Sequence, residues 1–393
     1  MAVSEERAPR AWHGRPGLAR VLVLAAIVRL ALIPITYGHD FVVWDVAARL
    51  TLNGVNPYTH WREMPNAYPY LPAFLYTLLP LRWLSLHAGI PFTILGKLPI
   101  AAADLAVGAA LYSLVRRARE PERAPRAAVL AAALYLFNPL VLYNSAFLGR
   151  FDAVALAFLL PALMITGWRF AVLYGLAVAT KTFPIFILPA LVIGPYRRTP
   201  RELAGAAAVI VAVALPFLVW DPAALLYNLT TRAAAGAVPL PRGLSWQYIL
   251  QPALPMGLYV HLEAVFYLVL LGAVVYWRDR PPLTLCALTF SLFLLVDRKI
   301  WEQYLTWPLP FLIALAVLRR DAASGALAGG MTLAALFMNE QGNPVDHRLY
   351  MRLVPYPPVA VNALLALGIV LYIASTLRRA SRRGDRVERE ALG

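Results

Sequence analysis

Long apolar runs, interrupted by short polar or basic segments, follow one another along almost the whole chain. Because a bilayer core about 30 Å thick needs about 20 apolar residues per helical crossing, these runs predict about ten to thirteen membrane-spanning helices. The clearest crossings are expected at 20–37, 93–115, 127–146, 153–167, 203–220, 257–277, 283–296, 304–318, 322–338 and 357–377. The sequence therefore predicts an all-α polytopic membrane protein, in which 1–377 form one membrane-embedded domain and 378–393 form a basic cytoplasmic tail.

Two apolar stretches do not fit a simple crossing. Residues 71–86 contain two prolines and an arginine, so we expect a helix that lies at the membrane interface. Between 168 and 197, Pro184 and Pro189 interrupt the apolar run, and we expect two short half-helices that meet near Lys181. Broken helices at membrane depth are tolerated where they are buried or line a cavity.

The composition agrees with a membrane protein and excludes several other classes. The 393 residues are 60% hydrophobic and 15% charged, whereas soluble domains carry about 45–50% apolar and about 25% charged residues. The single cysteine, Cys286, lies within an apolar run, which excludes a disulfide framework and a cysteine-based metal site. The histidines are scattered, and no P-loop or nucleophile motif is present. We therefore expect no metal and no cofactor.

The net charge of +15 would suggest nucleic-acid binding in a soluble protein. Here the arginines lie in clusters between apolar runs, which is typical of cytoplasmic loops and tails under the positive-inside rule. We therefore expect no nucleic-acid partner, and we place both termini in the cytoplasm. The first apolar run lacks a small-residue cleavage site, so we expect a retained span rather than a signal peptide. The long connections then face the other side, at 38–70, 221–255, 297–303 and 339–356.

Asp40 is the first candidate for chemistry, because it closely follows the end of the first predicted span. A carboxylate held at the membrane surface and partly desolvated can deprotonate a hydroxyl as a general base. The alternative is an ordinary loop or helix-capping aspartate. For Asp45, we expect an ion pair with Arg49 one helical turn later.

Several further charges lie at or inside the apolar zone, where charge is costly and favours a functional role. They are Arg29, Lys97, Asp104, Arg150, Asp152, Lys181, Asp297, Arg298, Lys299 and Glu302. Lys97 and Asp104 share a helix face but are too far apart for a direct bond. Arg150 and Asp152 can alternatively form an ion pair that fixes an outer turn. A cavity-facing Lys181 can bind a phosphate as a point charge.

An ordered set of short motifs carries a family resemblance across about 37–310. The motifs are Asp40 to Arg49, Gly54-Val55-Asn56-Pro57-Tyr58, Tyr68-Pro69-Tyr70-Leu71-Pro72, Gly96-Lys97 with Asp104, Asn138-Pro139-Leu140, Gly149-Arg150-Phe151-Asp152, Gly175-Leu176, Lys181-Thr182-Phe183-Pro184, Leu188-Pro189 and Trp301-Glu302-Gln303-Tyr304-Leu305-Thr306-Trp307. Together they resemble the GT-C membrane glycosyltransferases that use polyprenyl-phosphate sugar donors. Within that superfamily, the chain is similar to the first mannosyltransferase of GPI-anchor synthesis and to phosphatidylinositol-mannoside mannosyltransferases. These relatives often carry a DxD motif, and Gly38 stands in place of its first carboxylate.

The resemblance implies an inverting transfer of a sugar, mannose first, from a polyprenyl-phosphate donor to a hydroxyl of a lipid or glycan acceptor. It implies that Asp40 is the catalytic base. It also implies that cations bind the donor phosphate, namely Lys181, Arg150, Arg298 and Lys299. The residues expected to bind substrate are His39, Asp45, Tyr58, Tyr70, Asp152 and Glu302. The implied location is the plasma membrane, with the site on the non-cytoplasmic face.

Two other functions remain open at this point. Broken helices and intramembrane charges are also typical of transporters and lipid flippases, and an inactive scaffold subunit would keep the same fold. Large outer loops with a membrane-proximal aspartate favour an enzyme that works on one face, and no half-chain repeat is visible. The donor sugar also stays open, because relatives of the same architecture use arabinose.

Overall fold

The computed structural model describes residues 16–59, 68–118, 124–232, 242–247, 256–335, 358–379 and 388. Regular structure in these ranges is almost entirely helical, as expected where backbone groups must pair without water. The helices are α1 Pro16–Leu32, α2 His39–Leu52, α3 Ala73–Ala88, α4 Phe92–Leu95, α5 Leu98–Ala118, α6 Ala124–Leu136, α7 Pro139–Leu142, α8 Asp152–Ala162, α9 Trp168–Thr180, α10 Leu188–Ile193, α11 Pro200–Trp220, α12 Pro222–Tyr227, α13 Met256–Tyr276, α14 Pro282–Val296, α15 Leu309–Arg319, α16 Ala322–Ala335 and α17 Pro358–Arg378.

Shorter elements connect these helices. Tyr143–Phe147 and Asn228–Arg232 are single π-helical turns, while Phe183–Ile187 and Glu302–Thr306 are 3₁₀ helices. Two strands of two residues each, β1 Arg242–Gly243 and β2 Lys299–Ile300, pair in parallel. The strand pair fixes the backbone just before Glu302.

Three helical segments of the described chain are long and apolar enough to cross a membrane, namely Phe92–Ala118, Pro200–Trp220 and Ala360–Arg378. Ala124–Leu136 and Pro139–Phe147 make a fourth if the pair, bent by 46°, counts as one span. These spans confirm the predicted all-α polytopic membrane fold. The higher predicted number of crossings stays a prediction, since several other apolar helices are short: α8 has 11 residues, α9 has 13 and α14 has 15. A helix of 15 residues rises about 22 Å, less than a bilayer core.

The predicted break at Lys181 is confirmed. α9 ends at Thr180, and Lys181 follows in an extended conformation with φ −150° and ψ 137°. Pro184 and Pro189 lie in the first turns of the next two helical pieces, where the missing N–H of proline costs no hydrogen bond. An interfacial helix was expected at 71–86. A helix is present there, α3, and its Trp83 and Leu86 side chains are exposed. Its depth relative to the membrane stays a prediction.

The helix bundle encloses a polar cluster near α5. Nε of Arg29 lies 2.9 Å from Oδ2 of Asp104, and both side chains are fully buried. The Tyr135 hydroxyl donates to Asp104 at 3.3 Å, and the Ser145 hydroxyl also donates to it. α1, α5, α6 and the π turn after α7 are thereby joined through one carboxylate. As predicted, Lys97 does not bond to Asp104, because its ammonium binds backbone carbonyls instead.

The C-terminal segment also contacts the bundle. The buried carboxylate of Glu388 accepts backbone hydrogen bonds from Leu283 at 2.6 Å and Thr284 at 2.9 Å, and it pairs with Arg319. A carboxylate at a helix N-terminus satisfies backbone N–H groups that lack partners within the helix. Glu388 therefore caps the N-terminus of α14. The predicted division into a domain of 1–377 and a tail of 378–393 stays a prediction.

We expect Arg29→Met or Asp104→Asn alone to lower the stability by about 3–5 kcal/mol, because each leaves a buried group without its partner. The double variant should lose less than the sum of the two. Apparent Tm in detergent measures the effect, with the exposed Arg20→Met on the same helix as a control. Strictly additive losses would contradict a coupling between Arg29 and Asp104.

Candidate active site

Two loops from distant parts of the chain meet at the start of α2. The Gly38 N–H donates to the Leu148 carbonyl at 2.8 Å, which joins the first outer loop to the turn before α8. Gly149 has a φ of +80°, and a Cβ on it would lie 2.5 Å from the Phe41 ring. Glycine at this position allows both the backbone conformation and the close approach. Asp40 and Arg150 are consequently brought to one place.

Arg150 lies at the centre of a set of polar groups that we call the arginine cluster, formed by Asp40, Arg150, Glu302 and Gln303. Nη1 of Arg150 is 2.7 Å from Oε1 of Glu302, and Nε is 3.7 Å from Oδ2 of Asp40. The guanidinium also donates to the Gln303 side chain. The Glu302 side chain is completely buried, whereas that of Asp40 is 27% exposed. Asp40 is therefore the carboxylate of this cluster that a substrate can reach.

Lys181 lies in a second polar group, here called the lysine cage. Nζ of Lys181 is 2.7 Å from Oδ1 of Asp152, and the Trp307 indole N–H donates to the same oxygen at 2.5 Å. Four ring centroids lie 5.2–5.9 Å from the ammonium, those of Tyr70, Phe151, Tyr304 and Trp307. Aromatic faces attract a cation, and the effect grows when water is excluded. The cage thus holds a desolvated ammonium beside one carboxylate.

Tyr70 connects the two groups. Burial raises the pKa of its phenol well above the usual range, and the negative charges of Asp40 and Asp152 raise it further. The Tyr70 ring also packs against the ring of Phe151, the residue between Arg150 and Asp152, with their centroids 5.1 Å apart. Tyr70 stays protonated at physiological pH, so it can donate a hydrogen bond but cannot serve as the base.

The predicted ion pair between Asp45 and Arg49 is wrong, and the alternative pairing of Arg150 with Asp152 is not formed. Arg150 binds Glu302 and Asp40, while Asp152 binds Lys181, so Arg150 and Asp152 do not pair with each other. Arg150 lies in the turn that precedes α8, whereas Asp152 is the first residue of that helix and faces α9.

Asp45 likewise pairs with Arg82 at 2.8 Å rather than with Arg49. The reason is that α2 packs against α3, which presents a cation closer than the one a turn away on the same helix. Asp45 therefore links these two helices, and its predicted contact with substrate stays a prediction.

The remaining predicted residues occupy different positions around the two groups. The buried Tyr58 donates its hydroxyl to the Tyr70 carbonyl at 2.8 Å, so it supports the loop beneath Tyr70. Arg298 is buried and Lys299 is half-buried, in the segment that leads into Glu302. The side chain of His39 lies outside the described residues.

Five contacting residues were not identified as site residues from the sequence. Gln303 and Asn144 bind the Arg150 guanidinium, while Phe151, Tyr304 and Trp307 form walls of the lysine cage. Gln303, Tyr304 and Trp307 belong to the Trp301–Trp307 motif, in which only the carboxylate of Glu302 had an obvious chemical role. The structure shows that this segment contacts Arg150 through Gln303 and Lys181 through Tyr304 and Trp307.

In the described part of the chain, no three His, Cys, Asp or Glu side chains are grouped so that they could hold a metal ion. The three carboxylates of the site each lie within 4 Å of a cationic side chain. The prediction that no divalent metal takes part remains a prediction.

Comparison with known proteins identifies the family. No curated protein sequence matches the chain. The sequence profile of Glycosyltransferase family 87 matches residues 68–297, more than half of the chain. The matched range includes the lysine cage residues Tyr70, Asp152 and Lys181, and it excludes Asp40 and Glu302. The match supports the predicted GT-C-like family, while the similarity to mannosyltransferases stays untested. The chain therefore belongs to glycosyltransferase family 87 and is a membrane glycosyltransferase.

Proposed function

We propose that this glycosyltransferase moves a sugar, mannose as the first candidate, from a polyprenyl-phosphate donor to a hydroxyl of a lipid or glycan acceptor. The observation that carries the proposal is that one short turn contacts a partly exposed carboxylate and a caged ammonium: Arg150 pairs with Asp40, and Asp152, two residues later, pairs with Lys181. We propose that the site faces the non-cytoplasmic side of the plasma membrane. The arginine clusters that flank the apolar runs support this orientation.

Asp40 is the proposed general base. It removes the proton from the acceptor hydroxyl while that oxygen forms a bond to the anomeric carbon. The bond between this carbon and the phosphate oxygen breaks, and its electron pair leaves with the phosphate. The donor phosphodiester carries one negative charge and the released polyprenyl phosphate carries two, so the phosphate gains the charge that Asp40 loses on protonation. A single displacement of this kind inverts the anomeric configuration.

The developing charge on the phosphate makes cations the main source of catalysis, because fixed charges stabilise a transition state without reorganisation. Lys181 is first among them, since an ammonium has three N–H donors and Asp152 accepts one of them. Arg150 is the second, held in place by Glu302. Arg298 and Lys299 are proposed to complete the phosphate site from the segment before Glu302.

The polar groups around these cations are proposed to bind the two substrates. Oδ2 of Asp152 is buried and has no hydrogen-bond partner among the described residues, so it can accept a hydroxyl of the donor sugar. Tyr70 offers a further contact, and the buried Glu302 is proposed to act on the substrates through Arg150, with which it pairs. On the acceptor side, His39, Asp45 and Tyr58 are proposed to shape the outer loop that follows the first span.

A transporter or flippase is the second candidate, favoured by the helix break at Lys181 and the buried ion pairs. The family assignment favours the transferase. Purified protein in liposomes, supplied with radiolabelled mannose, glucose and arabinose phosphopolyprenols and a lipid extract as acceptor, distinguishes the two. Label that moves onto the acceptor supports the transferase and identifies the sugar, whereas label that only crosses the bilayer supports the transporter.

We expect Asp40→Asn to lower kcat by about 10²–10⁴-fold, because an amide cannot accept the hydroxyl proton. The transfer assay in liposomes measures this loss. The control is Asp279→Asn, since Asp279 is 72% exposed in a turn distant from the site in the sequence. An Asp40→Asn enzyme with the wild-type rate would refute the assignment of the base.

We expect the double variant Lys181→Met/Asp152→Asn to lose about 10²–10³-fold in kcat relative to Asp152→Asn alone. The pair of variants is needed because Lys181→Met alone leaves the buried Asp152 carboxylate without its cation. Apparent Tm checks that both variants fold. Equal rates for the double variant and for Asp152→Asn would exclude Lys181 from the phosphate site.

A further inference from the structure

Lys97 is a buried cation that the proposed mechanism does not use. It lies between α4 and α5 with no exposed surface. Its ammonium donates to the carbonyls of Ile33 at 2.8 Å, Phe147 at 2.8 Å and Ala146 at 3.3 Å, and also to that of Thr36. Lys97 forms no ion pair with a carboxylate among the described residues. Four carbonyls from two segments therefore share one ammonium.

These carbonyls lie at the ends of two helical segments. Ile33 and Thr36 follow the last turn of α1, and Ala146 and Phe147 close the π turn after α7. Carbonyls at helix ends carry partial negative charge and need donors. A lysine ammonium is compact enough to lie among several of them at once, whereas a guanidinium is a wide planar fork. Lys97 consequently joins the end of α1 to the end of the π turn.

Both segments lead directly into the arginine cluster. Thr36 precedes Asp40 by four residues, and Phe147 precedes Arg150 by three. The Gly38 to Leu148 hydrogen bond joins the same two loops on the way to the site. The distance between Asp40 and Arg150 therefore depends on the link that Lys97 makes.

The positions of the lysines along the chain support a specific role for Lys97. The sequence has 36 Lys and Arg residues, of which three are lysines, at 97, 181 and 299. Lys181 lies in the lysine cage, and Lys299 lies three residues before Glu302. All three lysines thus lie in or beside the candidate site, together with buried arginines such as Arg150 and Arg298. The carbonyls around Lys97 give a physical reason for a lysine at this position.

We propose that Lys97 is a positioning residue for the transferase, which sets the placement of Asp40 relative to Arg150 without touching substrate. The inference rests on the proposed function of Asp40 as the base. A catalytic group displaced by about 1 Å can cost about 10²-fold in rate. The loss of Lys97 should therefore appear in kcat more than in KM.

The test compares Lys97→Met with the wild type and with Glu202→Gln. Glu202 accepts hydrogen bonds from Gly167 and Thr199 at the start of α11, so its loss destabilises the protein away from the site. We expect Lys97→Met to lower kcat by about tenfold to hundredfold per folded molecule, with the donor KM changed less than twofold. Glu202→Gln should lower the apparent Tm and keep kcat. Wild-type kcat in Lys97→Met with a lowered Tm would reduce Lys97 to a structural role and overturn the inference.

Amide hydrogen exchange provides a second readout that needs no substrate. In Lys97→Met we expect faster exchange in peptides that cover 33–41 and 143–150, and unchanged exchange in α9. Unchanged exchange in both loops would overturn the inference even if the transferase activity had not been found.

If Lys97→Met does not fold, Lys97→Arg takes its place, and we expect it to fold with a lowered kcat because the guanidinium displaces the carbonyls. If the wild-type protein is inactive with all donors, the proposed function is refuted. Amide hydrogen exchange would still decide whether Lys97 holds the two loops at 33–41 and 143–150 in place.

Discussion

The pairing of one guanidinium with two carboxylates is the constraint on which the candidate site depends. Arg150 is buried with Glu302, and a buried charge without a partner would destabilise the fold by several kcal/mol. Glu302 can therefore stay in the interior only while the turn before α8 and the 3₁₀ helix after β2 remain together. Asp40 joins them from the first outer loop, so three segments that are distant in the sequence are fixed by one side chain. Asp40 is partly exposed, so it is the member of this buried centre that is proposed to contact substrate.

The charge count of the site fits the proposed chemistry. Arg150 and Lys181 face three carboxylates, those of Asp40, Asp152 and Glu302, so these five side chains carry a formal charge of −1. Binding of an anionic donor is unfavourable in such a site unless further cations offset the negative charge. This is the role proposed for Arg298 and Lys299. In the transfer step, Asp40 becomes neutral as the phosphate gains a charge. The total charge of site and substrates stays constant, and the negative charge moves from the base toward the cations.

Much of the fold could be predicted from the sequence, because apolar runs and prolines are local signals. The helices lie near their predicted positions, and the break at Lys181 follows from Pro184 and Pro189. The costly charges in the apolar zone also identified Arg150, Asp152 and Lys181. Their partners could not be predicted, since spacing favours local pairs and the observed ones are tertiary. Arg150 binds Glu302, 152 residues away in the sequence, and Asp45 binds a neighbouring helix. The aromatic walls escaped prediction for the same reason, as an interfacial belt explains aromatic residues equally well.

The relative positions of the proposed base and the caged ammonium favour a single displacement. An in-line attack needs the incoming hydroxyl and the departing phosphate on opposite sides of the anomeric carbon. Asp40 is partly exposed beside Arg150, and Lys181 is buried beside Asp152, two residues further along the same turn. In the proposed function, a sugar held at this turn would meet the base from the exposed side and the ammonium from the buried side. Glu302 is buried against Arg150, and Asp152 is held by Lys181 and Trp307, so neither is presented as a nucleophile for a covalent intermediate. The proposed inversion would then have the phosphate leave toward the interior cations and the acceptor arrive from the outer loop.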